Sequence, residues 1–525
     1  VADGATGHST DVESYLTIGR GTTLLVLGTV VLFVASFASR VLIANGLSLA
    51  DWGAFNVALA LIGFASTVAL LGIDQAAART LSFERDPAVR RAVVRRAVLV
   101  AVATATVASL AVDLLAGPLA AAFGTPVLAT VLPLGAIAVG TTILGLLLAA
   151  LFQGCEDAAP NAIFNQVVNP TLFVGFTVVA LALHGGLRGI LAAYAAASSV
   201  ALVAFFGYAL ARLPERIPAV AGPLPPVPRL ARLAASFWGV GSLAFATAFV
   251  DTLILGLVRP SAEVGIYAAA MLLGRILLVG NGALTYIYLP VAARLARVGD
   301  EPLVRATYLT GTRWTLLVVT PPFLLFTFLP TLSLTAVFGP GFAAGALPLQ
   351  IITVTAFVSV VVGPANACLA GLGETGPLLT TTAIAAATNV ALSVTLTPID
   401  GAIGAAIAWG VARAAYPGLG LVALYRAHRI HPFHAPLLKP LAVTLAVGVP
   451  VFAVLGTFAL PVWSVVPLAG LAAGIGLAAL LATDSLLPGD VAVVRGVERL
   501  TGRPLPALHR LVAAHGAPVP AALGG

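Results

Sequence analysis

Asp51-Trp52-Gly53-Ala54-Phe55, followed by a long apolar run, returns in altered form as Glu263-Val264-Gly265-Ile266-Tyr267, followed by another. The glycines Gly53 and Gly265 fix the offset between the two copies. A second pair keeps nearly the same offset: Gly186-Leu187-Arg188-Gly189, with Tyr194 beyond it, matches Gly401-Ala402-Ile403-Gly404, with Trp409 beyond. Two anchors with almost one offset divide the chain into homologous halves. Internal duplication on this scale in an apolar chain points to a transporter.

Composition supplies the solvent. Of 525 residues, 60% are hydrophobic and 9% charged, and the mean hydropathy is +1.05. A soluble domain could not keep that surface in water. Runs near the length of about 20 residues that crosses roughly 30 Å of hydrocarbon as helix recur along the whole chain. They fall at 21–43, 53–73, 93–115, 128–151, 161–183, 187–210, 234–257, 265–289, 309–329, 344–369, 378–397, 402–424, 440–460 and 462–482. Membrane barrel strands would instead alternate over about ten residues. The expected fold is therefore an all-α polytopic membrane protein of about fourteen transmembrane helices.

Charge gives the orientation. Of the 27 Lys and Arg, 22 fall in the N-terminal segment, the loops after even-numbered spans and the C-terminal tail, whereas Arg188 and Arg259 lie on the opposite side. The positive-inside rule then places both termini in the cytoplasm of a multi-pass protein of the cell membrane. The net charge of +7 reads as topology, with attraction to membrane lipids, and not as a nucleic-acid surface. Cys155 and Cys368 both fall near cytoplasmic helix ends, where a disulfide is not expected.

Organisation follows. Residues 1–19 form a polar cytoplasmic tail and 20–211 a first six-helix lobe. A Pro-rich cytoplasmic linker over 212–233 leads to a second six-helix lobe over 234–425. Each half has an even number of spans, so the two pseudo-symmetric lobes are parallel repeats. Transmembrane helices 13 and 14, within 426–482, have no counterpart in the repeat. The tail 483–525 carries Asp490, Arg495, Glu498 and Arg499 among Val and Leu, as an amphipathic helix on the inner surface would.

Charges inside spans cost about 2.5–3.5 kcal/mol on insertion scales and mark function. Arg40 lies late in the first span, Asp251 late in the seventh, Arg275 in the middle of the eighth and Arg413 in the middle of the twelfth. Under the repeat Arg40 maps beside Asp251, which makes the two candidates for a gating or coupling pair. The alternative is that Arg40 snorkels to headgroups and Asp251 caps a neighbouring helix. Arg275, Arg413 and Arg40 are the candidate anion-binding residues of a central cavity, with Asn56, Asn281, Tyr286 and Asn366 as candidate polar lining. His428, His431 and His434 are spaced by three, but Pro432 interrupts any helix that would align them as a metal site. No phosphate loop, HExxH or GxSxG motif occurs, so neither cofactor nor enzymatic chemistry is expected, and the coupling ion, H+ or Na+, is open.

Gly19-Arg20-Gly21, Ser39-Arg40-Val41-Leu42-Ile43-Ala44 and Ser48-Leu49-Ala50-Asp51-Trp52-Gly53-Ala54-Phe55 resemble the start of Wzx-type polysaccharide-biosynthesis flippases. These belong to the multidrug/oligosaccharidyl-lipid/polysaccharide (MOP) exporter superfamily, whose fold is MATE-like. Asp251-Thr252-Leu253-Ile254-Leu255-Gly256, Leu369-Ala370-Gly371-Leu372-Gly373-Glu374 and Gly401-Ala402-Ile403-Gly404 extend the resemblance over residues 17–425. Leu487-Pro488-Gly489-Asp490 in the tail is similar to haloarchaeal members. The resemblance implies two six-helix lobes around a cavity that moves a polyprenyl- or dolichyl-linked oligosaccharide to the outer leaflet. Glycosyltransferases or a polymerase of the same pathway would be its partners.

The residues support that reading on their own, since three Arg against one Asp suit an anionic lipid headgroup. A cation-coupled multidrug exporter of the same superfamily is the nearest rival. It would want carboxylates deep in the first lobe, and spans one, two, four, five and six have none. A membrane enzyme or scaffold of glycan assembly is the alternative from another class.

Overall fold

The computed structural model describes residues 27–218, 225–226, 228–298 and 301–485. The polar tail 1–19, the middle of the Pro-rich linker and nearly all of the expected amphipathic tail lie outside the described residues. Among the described residues every regular element is a helix. The first are α1 (Leu27–Gly46), α2 (Leu49–Leu70), α3 (Ile73–Phe83), α4 (Pro87–Leu114), α5 (Ala116–Ala122) and α6 (Leu128–Gly154). After them come α7 (Asn161–Ala182), α8 (Gly186–Arg216), α9 (Pro228–Val258), α10 (Ser261–Gly274), α11 (Ile276–Val298) and α12 (Glu301–Phe328). The last are α13 (Pro330–Phe338), α14 (Ala346–Val361), α15 (Ala365–Gly371), α16 (Thr375–His428), α17 (Ala435–Leu455) and α18 (Val465–Ala482).

Among the described residues, twelve helical stretches are long and apolar enough to cross a membrane. One of them, α16, has 54 residues. A straight helix of that length would measure about 81 Å, far more than roughly 30 Å of hydrocarbon. Its backbone breaks at Gly401 (φ 55°, ψ −127°), so α16 holds two crossings, as the sequence expects for 378–397 and 402–424. The α12–α13 pair, bent by 98° where Pro330 opens α13, contributes a further apolar stretch. The fourteen expected spans are thereby accounted for.

The chain forms two compact units, Val1–Gly265 and Ile266–Gly525. In the first, α9 packs on α2 and α3, although it belongs to the second repeat by sequence. Packing and ancestry thus draw their boundaries at different places. Gly72, in the left-handed region at φ 67°, allows this approach, because a Cβ there would lie 2.4 Å from the Ala234 carbonyl oxygen. The Trp238 indole N–H donates to the Val68 carbonyl at 3.1 Å.

The two copies of the opening motif pack directly on each other within this unit. Ser48 caps α2, accepting the Asp51 N–H at 3.1 Å and donating to Asp51 Oδ2 at 2.8 Å. One turn on, a Cβ on Gly53 would stand 1.6 Å from the Ser261 carbonyl oxygen, and one on Gly265 would stand 2.5 Å from that of Leu49. The Trp52 indole donates to the Gly265 carbonyl at 3.1 Å. Small residues where helix backbones meet are the usual solution in lipid, which supplies no hydrophobic drive between helices. The second anchor is also preserved as geometry: Gly186 and Gly401 both have φ 55°.

α7 opens with eight residues of π-helix, Asn161–Val168. Pro170 has no N–H to return to the carbonyl four residues back, and the Asn169 N–H reaches Phe164 O instead. The wider turn carries Asn165, whose Nδ2 donates to Asn161 Oδ1 at 3.0 Å and to Gly145 O at 3.4 Å. In the second unit, Tyr288, Tyr308 and Cys368 form a buried core with Leu424 and Ile430. The Tyr308 hydroxyl donates to Val362 O at 2.6 Å, and that of Tyr288 donates to Cys368 Sγ at 3.3 Å.

Candidate anion site in the second unit

α14 is the element that assembles the candidate site. Ile352, Thr355 and Ser359 are spaced by three and four and so share one face of it. Ile352 meets α10 at Gly274, where a Cβ would lie 2.3 Å from Ile352 Cγ2. Thr355 meets α16 at Gly410, where a Cβ would lie 2.6 Å from Thr355 Oγ1. One turn along, the Ser359 hydroxyl donates to the Arg413 carbonyl at 2.8 Å. The same α14 face therefore touches the residue before Arg275 and the backbone of Arg413.

The consequence is that two cations meet. Arg275 occupies the break between α10 and α11, where its N–H bonds Met271 O and its carbonyl accepts from Leu278 N–H, both at 3.0 Å. The Arg275 and Arg413 guanidiniums are close enough for their charges to act on each other, with the Tyr416 hydroxyl also near Arg413. Both arginines are partly buried, and among the described residues Arg413 Nε has no hydrogen-bond partner. Like charges held together away from water repel strongly. An anion between them would relieve that repulsion, and guanidinium forks match phosphate oxygens in pairs.

The remaining candidate polar groups are placed in both units, each in its own surroundings. Asn366 Nδ2 donates to Tyr416 O at 3.1 Å, and its Oδ1 lies 3.5 Å from Thr381 Oγ1. Asn281, on α11, has a buried Oδ1 without a hydrogen-bond partner among the described residues. The side chain of Tyr286 lies outside the described residues. In the first unit Asn56 is buried and spends its Nδ2 on Trp52 O, one turn back on the same helix, at 2.8 Å. Arg40, on α1, is close enough to act on the Tyr194 hydroxyl, which Thr142 also faces. Asp251 is fully buried on α9.

Tyr194 and Tyr416 enter these environments without having stood out in the sequence, although Tyr194 belongs to the repeated Gly-x-x-Gly anchor. The π turn of α7 lies between Pro160 and Pro170. The histidines lie outside the spans. His431 and His434 rings stack at 4.3 Å, and His428 Nε2 is 3.6 Å from Glu374 Oε1. Burial, with His431 and Arg305 beside it, pushes the His434 imidazole below its usual range. Among the described residues no group of three or more His, Cys, Asp or Glu is placed to hold a metal ion.

Helices long and apolar enough to cross a membrane, repeated along the described chain, define a multi-pass all-helical membrane protein. The polysaccharide biosynthesis protein family model matches residues 18–295, more than half of the chain, and the chain belongs to that family. No curated protein matches it. Among solved structures it is similar to the lipid II flippase MurJ in an inward closed conformation (TM-score 0.68, 13% identity, 90% of this chain and 100% of that one). It is also similar to an inward-facing MATE family multidrug resistance transporter of the MOP superfamily (TM-score 0.62, 12% identity, 76% of this chain and 94% of that one). A third is a MOP superfamily transporter from Pyrococcus furiosus described as having a binding pocket of reverse polarity (TM-score 0.54, 14% identity, 79% of this chain and 95% of that one).

Proposed function

We propose that the chain moves a lipid-linked oligosaccharide from the cytoplasmic to the outer leaflet of the cell membrane by alternating access, with both termini cytoplasmic. The observation that carries this reading is the proximity of Arg275 and Arg413 inside one unit of a polysaccharide-biosynthesis family member. A polyprenyl- or dolichyl-linked sugar enters the membrane through a phosphate or pyrophosphate, which is the anion such a pair would hold. Asn281 and Asn366 lie on helices of the same unit and would bond polar oxygens of the headgroup or first sugar. In the first unit Arg40 is a further candidate cation, and Asp251, fully buried, is the candidate coupling or gating carboxylate. A cationic drug would meet the wrong sign at Arg275 and Arg413. Glycosyltransferases that build the substrate would act upstream on the cytoplasmic side.

The test replaces Arg275 with Ala in cells that depend on the protein. The lipid-linked precursor is then expected to accumulate on the inner leaflet, with transport down on the order of a hundredfold, the scale of losing one charge-assisted contact to a desolvated anion. Normal surface glycan at equal expression would sink the assigned role.

A further inference from the structure

The α3–α9 contact of the first unit holds a second basic feature that the transport reading does not use. The helices are clamped at Gly72 and Trp238. About two turns farther along α3, and a similar distance back along α9, they enclose a cavity of about 400 Å³. It is lined by Arg79, Thr80, Phe83 and Glu84 from the end of α3, Val89 from α4, and Pro226, Arg229, Leu230 and Leu233 at the start of α9. That volume lies in the ordinary range for small-ligand sites.

We propose that this cavity binds the phosphate of an anionic lipid headgroup on the side of the membrane that carries the basic loops. Arg79 and Arg229 supply two positive charges, and among the described residues neither is ion-paired. Glu84 is the one acidic lining residue, and it is already engaged: its Oε1 accepts the backbone N–H groups of Arg85 and Asp86, each at 3.0 Å. The remaining balance favours an anion. Phosphate is the chemistry that two guanidiniums match.

The position and the apolar wall favour a lipid over a solute. Arg229 is the first residue of a membrane-crossing stretch, Arg229–Val258, so the cavity opens at the level of headgroups. Phe83 projects at its rim with 81% of its surface exposed, and Leu230 and Leu233 line the inside. A soluble anion has no use for that wall, whereas the glycerol and upper acyl carbons of a phospholipid do. Arg85, Arg90 and Arg91 follow in the same segment and would concentrate anionic lipid nearby.

The full-length protein in uncharged detergent is titrated with phosphatidylglycerol, with phosphatidylcholine of the same chains and with inorganic phosphate, and bound molecules are counted by native mass spectrometry. Phosphatidylglycerol is expected to bind in preference. The pair Arg79→Ala/Arg229→Ala is expected to weaken it about tenfold, and the exposed control pair Arg95→Ala/Arg96→Ala by less than about twofold. Leu233→Trp, which fills the cavity without changing charge, should weaken it as well. Equal binding of the two lipids, an unaffected Arg79→Ala/Arg229→Ala variant, or an equal loss in the control pair overturns the proposal. Inorganic phosphate that displaces the lipid at equal concentration overturns the lipid source and assigns the cavity to a soluble phosphate.

Discussion

Gly63 and Arg275 hold equivalent places in the two halves, at the offset that Gly53 and Gly265 define, and the molecule treats them in opposite ways. Around Gly63 the space is aromatic: a Cβ there would touch the Phe245 ring at 3.4 Å, and Phe245 stands between Phe64 and Phe249 at 5.6 and 5.3 Å. At Arg275 the helix turns, and its charge lies within electrostatic reach of Arg413. Gly53 and Gly265, earlier in each half, are by contrast equivalent in sequence and pack on each other. Where the first half has an apolar, stacked filling, the second carries charge.

The comparison can be broken hardest where the repeat is strictest. Gly53→Ala places a methyl group against the Ser261 carbonyl, a backbone atom that cannot swing aside. It should cost about 3 kcal/mol or more, read as a lowered unfolding temperature in detergent. Next in size is Gly63→Arg, which copies the charge of the second half into the aromatic filling of the first. A loss of about 2.5–3 kcal/mol is expected on insertion scales, measured as reduced membrane yield and thermal stability. Tolerance of Arg at 63 would mean that the first half has a polar cavity there after all. The smallest change is Ser359→Ala, which removes the hydroxyl bridge from α14 to the Arg413 carbonyl. It should cost about 1 kcal/mol of stability and weaken anion binding by a few fold, since Arg413 itself remains.

Much of this fold is legible in the sequence because lipid imposes simple rules. Apolar run length gives the spans. The two glycines at φ 55°, Gly186 and Gly401, mark the same turn in each half, since only glycine adopts that backbone without strain. What was hidden depends on packing. The α12–α13 bend of 98° and the π turn of α7 are choices among backbone bonds that prolines permit without dictating. Arg275 reads as mid-span and lies within the stretch Ser261–Gly282, at a one-residue turn between α10 and α11 that the sequence does not signal. The proximity of Arg275 and Arg413 could not be read from two positions so far apart along the chain; the α14 face that meets Gly274 and the Arg413 backbone brings their helices together.

The central claim is that these two arginines form one anion site for a lipid-linked phosphate. Its most direct test is native mass spectrometry of the full-length protein with a polyprenyl pyrophosphate and, in parallel, with a lipophilic organic cation. The account predicts that the pyrophosphate binds, that Arg275→Ala and Arg413→Ala each weaken it about tenfold, and that the double variant is no worse than either single by more than a few fold. Binding of the cation in preference to the pyrophosphate, or single variants that leave pyrophosphate affinity unchanged, would contradict it.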